Sequence, residues 1–232
     1  METLRIGNIT CRVKRSNRRT VGMRSAADGT PEILAPRDIS LEELRRICGP
    51  YAKKLDDMSA KCRAVNSARE AFTLDYGSCV RVLGGGREIR AGRAEYVSYD
   101  DEAFYIPPSL DTDGVRCAVV QAYKLLAENY LTVRVRDISA RMGLEPLAVK
   151  VNSAKSHWGT CSSKASLNFT WYCMMAPIET VDYIIVHELC HIRHFNHSPQ
   201  FWEEVAKYCP DYARHKAYLR ELGGTIQAER WE

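Results

Sequence analysis

Apolar side chains recur at helical spacing through the middle of the chain. They lie three or four positions apart, on one face of a helix, and therefore predict an amphipathic helix over about 113–131. The positions that carry this pattern are Val115, Val119, Tyr123, Leu126 and Tyr130. A shorter helix is expected near 137–142, with Gly143 as the residue that ends it.

The first quarter of the chain has the pattern of short strands instead. Alternating or β-branched runs cover 9–15, 19–24 and about 31–35. Ser40 then precedes a run of acidic and apolar residues, with Glu43 three positions later. This is the capping-box arrangement, and it predicts that a helix begins here.

The rest of the chain alternates between sheet and helix. Further sheet is expected over 72–99, with the glycine run at 84–86 as a turn. Two more strands are expected at about 148–152 and 167–173, and helical spacing returns from 177 to about 195.

These patterns together predict an α+β fold. A mainly antiparallel β-rich region covers 1–110, and a domain built around helices covers 111–232. The boundary near 110 is soft, so the two parts can also fold as one unit. No internal repeat is evident.

Composition narrows the class of protein. The chain has 232 residues, 45% of them hydrophobic and 27% charged, which excludes disordered, collagen-like and disulfide-scaffold proteins. It has no apolar run of about 18 residues and no secretory-signal pattern, so we expect no membrane association and no export. Nine cysteines without a CxxC pair are then expected to be reduced thiols in a cytoplasmic protein.

Positive charge is concentrated near the N-terminus. The net charge of the whole chain is only +4, but residues 1–30 hold seven Lys and Arg against two Asp and Glu. A solvated strand face explains this excess, and a binding surface is the alternative.

The run HELCH at 187–191 is the strongest chemical signal. On a helix, residues four apart lie one turn along and about 40° around, so His187 and His191 can reach one metal ion. Glu188 stands beside the first ligand, where its carboxylate can meet a water on that ion. The surrounding residues are apolar almost all round, which predicts a buried helix. Buried histidines and a carboxylate need compensation, and a metal provides it.

A catalytic zinc takes three protein ligands and keeps a fourth position open. His197 is favoured as the third ligand, because Asn196 tolerates the left-handed conformation that reverses a chain. Ser198-Pro199 then fits an N-cap and the first position of a new helix. The alternatives for the third ligand are His194, Glu203 and Glu204.

Three stretches of the second half are distinctive as motifs. They are WGTCS at 158–162, DYIIVHELCH at 182–191 and NHSPQFW at 196–202. With them, the segment from about Lys155 to Leu219 resembles the YgjP-like metallopeptidases, a zincin family related to SprT-type and WLM-type proteases. The likeness extends more weakly into the first half of the chain.

The resemblance implies a zincin-like domain with an active-site helix. It also implies zinc bound by His187, His191 and His197, with Glu188 catalytic, in a cytoplasmic, bacterial-type protein. The HExxHxxxxxH spacing also occurs in metzincins, which carry Gly at the position of His194 and a Met-turn downstream. No methionine follows Met175, so we reject that assignment.

This chain departs from the family pattern at two positions. His157 stands where the family usually has Arg, and Thr160 where it usually has Ser. His157 is expected to face solvent, with a place in the cleft as the alternative. Trp158-Gly159 is either a core aromatic with a bulge or an edge strand that pairs with a peptide substrate.

Other residues near the motif receive weaker expectations. Phe201 and Trp202 are expected in the core, and Cys190 as a packed thiol. The candidates for stabilising the oxyanion are Tyr183, His157 and Arg193. The candidates for orienting the ligand imidazoles are Asp182, Glu203 and Glu204.

The predicted function is a zinc-dependent metalloendopeptidase that acts on a protein or peptide substrate. One alternative is a zinc-stabilised module that binds nucleoprotein or partner proteins without cleaving them. Another is a zinc hydrolase that does not cut peptides. Nucleic acid is a weaker partner prediction, and the sequence does not determine the oligomeric state.

Overall fold

The computed structural model describes residues 1–231, which form two compact units. The first unit is Met1–Phe72, and the second begins at Thr73. The boundary expected near 110 therefore lies inside the second unit. The sequence pattern changes there, where a long helix begins, but the two strands just before that point (98–99 and 103–106) pack against this helix.

The first unit is a four-stranded sheet with two helices. Its strands are β1 (Thr3–Ile6), β2 (Ile9–Ser16), β3 (Gly22–Ser25) and β4 (Pro31–Pro36). Its helices are α1 (Leu41–Cys48) and α2 (Ala52–Ala71), joined by a 3-10 turn at Gly49–Tyr51. The Ser40 hydroxyl accepts a hydrogen bond from the Glu43 N–H at 3.1 Å, so the predicted cap is present.

The second unit, as described to residue 231, contains two sheets and four helices. Its first sheet has β5 (Cys79–Val82), β6 (Gly85–Ala91), β7 (Ser98–Tyr99) and β8 (Ala103–Ile106). The helix α3 (Thr112–Met142) follows, and then β9 (Ala148–Asn152), β10 (Gly159–Cys161) and β11 (Ser166–Thr170). After a 3-10 segment at Trp171–Met175, the chain ends with α4 (Ile178–Cys190), α5 (Pro199–Tyr208) and α6 (Tyr212–Ala228). Within residues 1–231, no helix has both the length and the apolar character needed to cross a membrane.

The two four-stranded sheets share one plan that the sequence did not reveal. Their strand orders are β1-β2-β4-β3 and β5-β6-β8-β7. In both, the central strands run parallel and each outer strand is antiparallel to its neighbour. In both, a capped helix begins shortly after the fourth strand, with Ser40 as the N-cap of α1 and Asp111 as that of α3. The repeat lies in the order and direction of the strands.

The helix α3 is longer than the sequence predicted. The two helices expected at 113–131 and 137–142 are one continuous helix of 31 residues. Buried Leu131, Val135 and Ile138 continue the apolar stripe across the expected break, where arginines interrupt the pattern. Gly143 ends the helix in the left-handed conformation, with φ of 63°, as predicted.

The three-stranded sheet lies beside the helix that carries the HELCH motif. Its order is β10-β11-β9, with β10 antiparallel and β9 parallel to β11. The strand β10 is therefore an edge strand, and it packs against α4. The strand expected at 167–173 ends at Thr170, where the 3-10 segment begins. The α+β fold predicted from the sequence is confirmed.

Candidate metal centre

The helix α4 carries the first two histidines of the site. Most of its side chains are buried, as the apolar pattern predicted. It ends at Cys190 rather than near 195, and turns follow at 191–193. His187 therefore lies in the last turn of α4, and His191 is its C-cap residue.

Three imidazole rings converge at the end of this helix. The Nε2 atoms of His187 and His197 are 3.1 Å apart. The ring centroid of His191 lies 5.0 Å from that of His187 and 4.8 Å from that of His197. One ring nitrogen from each residue falls within 4.8 Å of the others. The structure thus brings together the three histidines singled out in the sequence.

The turn between α4 and α5 brings His197 to the other two histidines, and it does so without a residue in the left-handed conformation. Asn196 was expected to reverse the chain in that conformation, but its φ is not positive. Its side-chain oxygen instead accepts a hydrogen bond from the Ser198 N–H at 3.3 Å. Ser198 then caps α5 through the Phe201 N–H, and Pro199 occupies the first turn as predicted.

Aromatic side chains of α5 form one wall of the site. Phe201 is fully buried, and its ring centroid lies between 4.6 and 4.9 Å from those of all three histidines. Trp202 is only partly buried, contrary to the expectation that it is a core residue. It stacks on His197 at 5.6 Å and on Tyr212 at 5.0 Å. These contacts hold the ring of His197, which is the most exposed of the three ligand candidates.

The histidine environment favours neutral imidazoles, which are the form that binds a metal. Burial, reinforced by His191 and His197, lowers the pKa of His187 to about 3. Burial and the neighbouring His191 also lower the pKa of His197. The His191 Nδ1–H donates to the His194 carbonyl at 2.9 Å, which leaves its Nε2 lone pair free. A set of three such nitrogens fits a divalent ion of the zinc type.

Glu188 lies beside the histidine cluster and against β10. Its side chain is only 5% exposed, and burial raises the pKa of its carboxyl to about 7. The backbone of Gly159 approaches it so closely that a Cβ there would lie 2.6 Å from Glu188 Cγ. The glycine of the WGTCS motif therefore makes room for the carboxylate.

A cleft of about 400 Å³ opens beside Glu188. His157, Trp158 and Tyr183 line it, so the exposed His157 also lies at the cleft. Burial raises the pKa of Tyr183 to about 12, which keeps its hydroxyl protonated. Lys216 and Arg220 also line the cleft.

Sequence reasoning did not find Lys216 and Arg220. Both lie on α6, one helical turn apart, and α6 contains no recognisable motif. Their i and i+4 spacing was the one available signal, but it does not tell which face meets the site.

Several residues suggested from the sequence lie elsewhere. Among the residues described, His194, Glu203 and Glu204 are not part of the converging histidine group. Arg193 pairs with Glu204 at 2.7 Å, and Asp182 pairs with Arg134. Those two acidic residues are therefore held by arginines, and Cys190 is a buried thiol as expected.

The family model of the YgjP-like metallopeptidase domain matches residues 19–222 of this chain. The chain belongs to the YgjP-like metallopeptidase family. This confirms the resemblance inferred from the motifs, and the matched range contains all three histidines and Glu188. No curated protein and no solved structure matched this YgjP-like chain.

Proposed function

We propose that this YgjP-like protein is a zinc-dependent metalloendopeptidase. In this proposal His187, His191 and His197 hold the metal, and Glu188 is the catalytic base. The observation that carries it is the convergence of three imidazoles beside a buried carboxylate. When bound, a zinc ion lowers the pKa of a water ligand towards about 7 and polarises a carbonyl group.

The chain's own residues supply the remaining steps. Glu188 accepts a proton from the attacking water on a carboxylate oxygen and later passes it to the leaving amine nitrogen. The apolar contacts of Phe201 around the imidazoles exclude water from one side of the centre. The ammonium of Lys216 on the cleft wall provides positive charge where the carbonyl oxygen becomes negative.

The edge strand β10 supports a peptide as the substrate. An edge strand offers unpaired backbone N–H and C=O groups, and an extended peptide can add to it as a further strand. Gly159 lies in this strand and against Glu188, so a peptide paired there passes beside the carboxylate. A small substrate that has no peptide backbone cannot make these contacts.

A matched set of variants tests this function. Glu188→Gln keeps the shape of the side chain but cannot accept a proton, so it should retain the wild-type metal content and lose at least about 100-fold in peptide hydrolysis. His187→Ala should lose one metal equivalent and also be inactive. Glu128→Gln, at an exposed position of α3, is the control and should behave as the wild type.

The measurements are metal analysis and the mapping of new termini in a mixture of unstructured peptides. Undiminished peptide hydrolysis by Glu188→Gln would remove that residue from its proposed role. Turnover of a small ester without any peptide cleavage would instead favour the non-peptidase zinc hydrolase.

The first unit supports nucleic-acid binding less than its positive charge suggested. Arg12, Lys14 and Arg24 all pair with the buried Glu32. Arg15 pairs with Glu2 and donates to three backbone carbonyls. These cations are engaged within the unit, so a protein or peptide is the partner we propose, and a cytoplasmic location stays a prediction.

A further inference from the structure

A second group of metal-ligand side chains lies where α5 meets α6. Cys209 follows the last residue of α5, Asp211 precedes the first residue of α6, and His215 lies in the first turn of α6. One ligand atom from each of the three falls within 4.8 Å of the others. Thiolate, carboxylate and imidazole are the ligand types that zinc combines in proteins.

Two contacts in this group, made with different oxygens of Asp211, are close to the separation of neighbouring ligands on one ion. Cys209 Sγ lies 3.6 Å from Asp211 Oδ1, and His215 Nε2 lies 3.3 Å from Asp211 Oδ2. In a tetrahedron with zinc–sulfur bonds of about 2.3 Å and zinc–nitrogen or zinc–oxygen bonds of about 2.0 Å, neighbouring ligands are about 3.3 to 3.5 Å apart. Without an ion, the Cys209 thiol donates a hydrogen bond to Asp211 over the same distance.

His215 is held in place by a hydrogen bond at its Nδ1. Its side chain is buried, and its Nδ1 lies 2.9 Å from the Thr180 hydroxyl, which is also buried. A proton on Nδ1 that is donated to this hydroxyl leaves the Nε2 lone pair facing Asp211. Ligand histidines are typically fixed by such a bond from their second nitrogen.

Asp211 does not act as a helix cap, although it stands at the N-cap position. An aspartate there usually accepts a hydrogen bond from the first turn of its own helix. The side chain of Asp211 makes no such bond and faces Cys209 and His215 instead. Pro210 lies between the thiol and the carboxylate and restricts the backbone of this short connection.

The group opens onto a cavity of about 270 Å³, which leaves room for a fourth ligand. Glu179 and Asp182 also line this cavity, but Asp182 is engaged by Arg134. A water or the carboxylate of Glu179 is therefore available to complete a tetrahedral site.

We propose that Cys209, Asp211 and His215 form a second divalent-metal site, of the zinc type, that anchors the start of α6. The same helix carries Lys216 and Arg220 to the wall of the cleft. The ring of Tyr183 stacks on that of His215, with their centroids 5.9 Å apart, and its centroid also lies 5.9 Å from that of His187. An ion here holds the cleft wall in place, and the proposal does not depend on peptidase activity.

Cobalt substitution separates this site from the histidine centre. The full-length protein is stripped with a chelator and titrated with Co²⁺ while its absorption is recorded. A thiolate ligand gives charge-transfer absorption in the near ultraviolet, and three imidazoles do not. The wild type should develop this band and bind about two ions per chain.

Variants then assign the band to Cys209. His187→Ala should bind one ion fewer and keep the band, whereas Cys209→Ser should bind one ion fewer and lose it. Cys117→Ser removes an exposed thiol elsewhere and should keep both ions and the band. Asp211→Asn and His215→Gln should weaken cobalt binding at this site at least tenfold, so that the assignment does not depend on one variant folding.

No band in the wild type, or a band that persists in Cys209→Ser, would overturn the second site. A failure of the histidine centre alone would appear as an unchanged ion count in His187→Ala. The two proposals can therefore fail independently.

Discussion

The α-carbon of Gly159 faces the side chain of Glu188 at a distance that leaves no space for a methyl group. A Cβ at position 159 would lie 2.6 Å from Glu188 Cγ and 2.8 Å from its Oε1. Contacts this short force the neighbour to move. The glycine therefore sets the position of the carboxylate relative to the three imidazoles.

Gly159→Ala is expected to impair hydrolysis by displacing Glu188. We expect peptide hydrolysis to fall at least tenfold, because a shift of about 1 Å at a catalytic group is costly. Metal content should not change, because the three atoms nearest the new methyl group all belong to Glu188 and none to a histidine. Gly224→Ala is the control, since a Cβ there meets nothing within 4 Å. Equal activity in the two alanine variants would contradict this role for Gly159.

Lys216→Met is expected to lower kcat more than it raises KM. The ammonium lines the cleft, lies 4.8 Å from the centroid of the Trp202 ring, and contributes to the lowered pKa of His187 and His197. Losing a positive group near a developing oxyanion should cost about tenfold or more in kcat. Steady-state kinetics on one peptide checks this, with the exposed Lys124→Met as control. A pure rise in KM would show that Lys216 binds the ground state instead.

Arg134→Ala is expected to destabilise the contact between α3 and α4. Its guanidinium binds Asp182 with two hydrogen bonds, one of them 2.6 Å long, and both side chains are partly buried. We expect a loss of about 1–2 kcal/mol in the free energy of unfolding. The four tryptophans all lie in the second unit, so their fluorescence in a urea titration reports its unfolding.

The control for Arg134 is Arg136→Ala. Arg136 pairs with the adjacent Asp137 on the exposed surface of the same helix. Such exposed pairs contribute less than about 1 kcal/mol, so this variant should unfold close to the wild type. Similar losses in the free energy of unfolding in both variants would mean that the contact between Arg134 and Asp182 adds no stability of its own.

Glu32→Gln is expected to destabilise the first unit at neutral pH but not in acid. The buried carboxylate of Glu32 meets Lys14 at 2.8 Å and Arg24 at 2.9 Å. The hydrogen bond from Lys14, with help from Arg24, lowers its pKa below the ordinary value of 4.5. The folded state therefore favours the charged form. This stabilisation is present above the ordinary value and is lost as the pH falls through the folded-state pKa.

Pulsed hydrogen exchange measures this effect. The protein is equilibrated in a series of urea concentrations at each pH, labelled in a pulse at one fixed pH, and the exchange of peptides from β4 is recorded. The difference between wild type and Glu32→Gln should be present at pH 7 and shrink steadily below pH 4.5. Glu42→Gln, at an exposed position of α1, should show no such difference. A difference that grows in acid would contradict the assigned sign.

The sequence predicted local structure where short-range rules dominate. The caps at Ser40 and Ser198 and the end of a helix at Gly143 follow from backbone hydrogen bonds within one turn. The HExxH spacing placed His187 and His191 on one helix face for the same reason. Arg134 and Arg136 interrupt the apolar pattern of α3 and concealed its continuity, because the partner that lets Arg134 be partly buried, Asp182, lies on α4.

Local pattern alone thus determined the fold class, the buried helix of the motif and the spacing of the histidines, since each depends on neighbours within a few residues. Only the tertiary structure decided that β5–β8 belong to one unit with α3–α6, that two sheets repeat one topology, and that α6 brings Lys216 to the cleft. It also decided that Cys209, Asp211 and His215 meet around one point. These relationships arise from packing between segments far apart in sequence, and no periodicity along the chain encodes them.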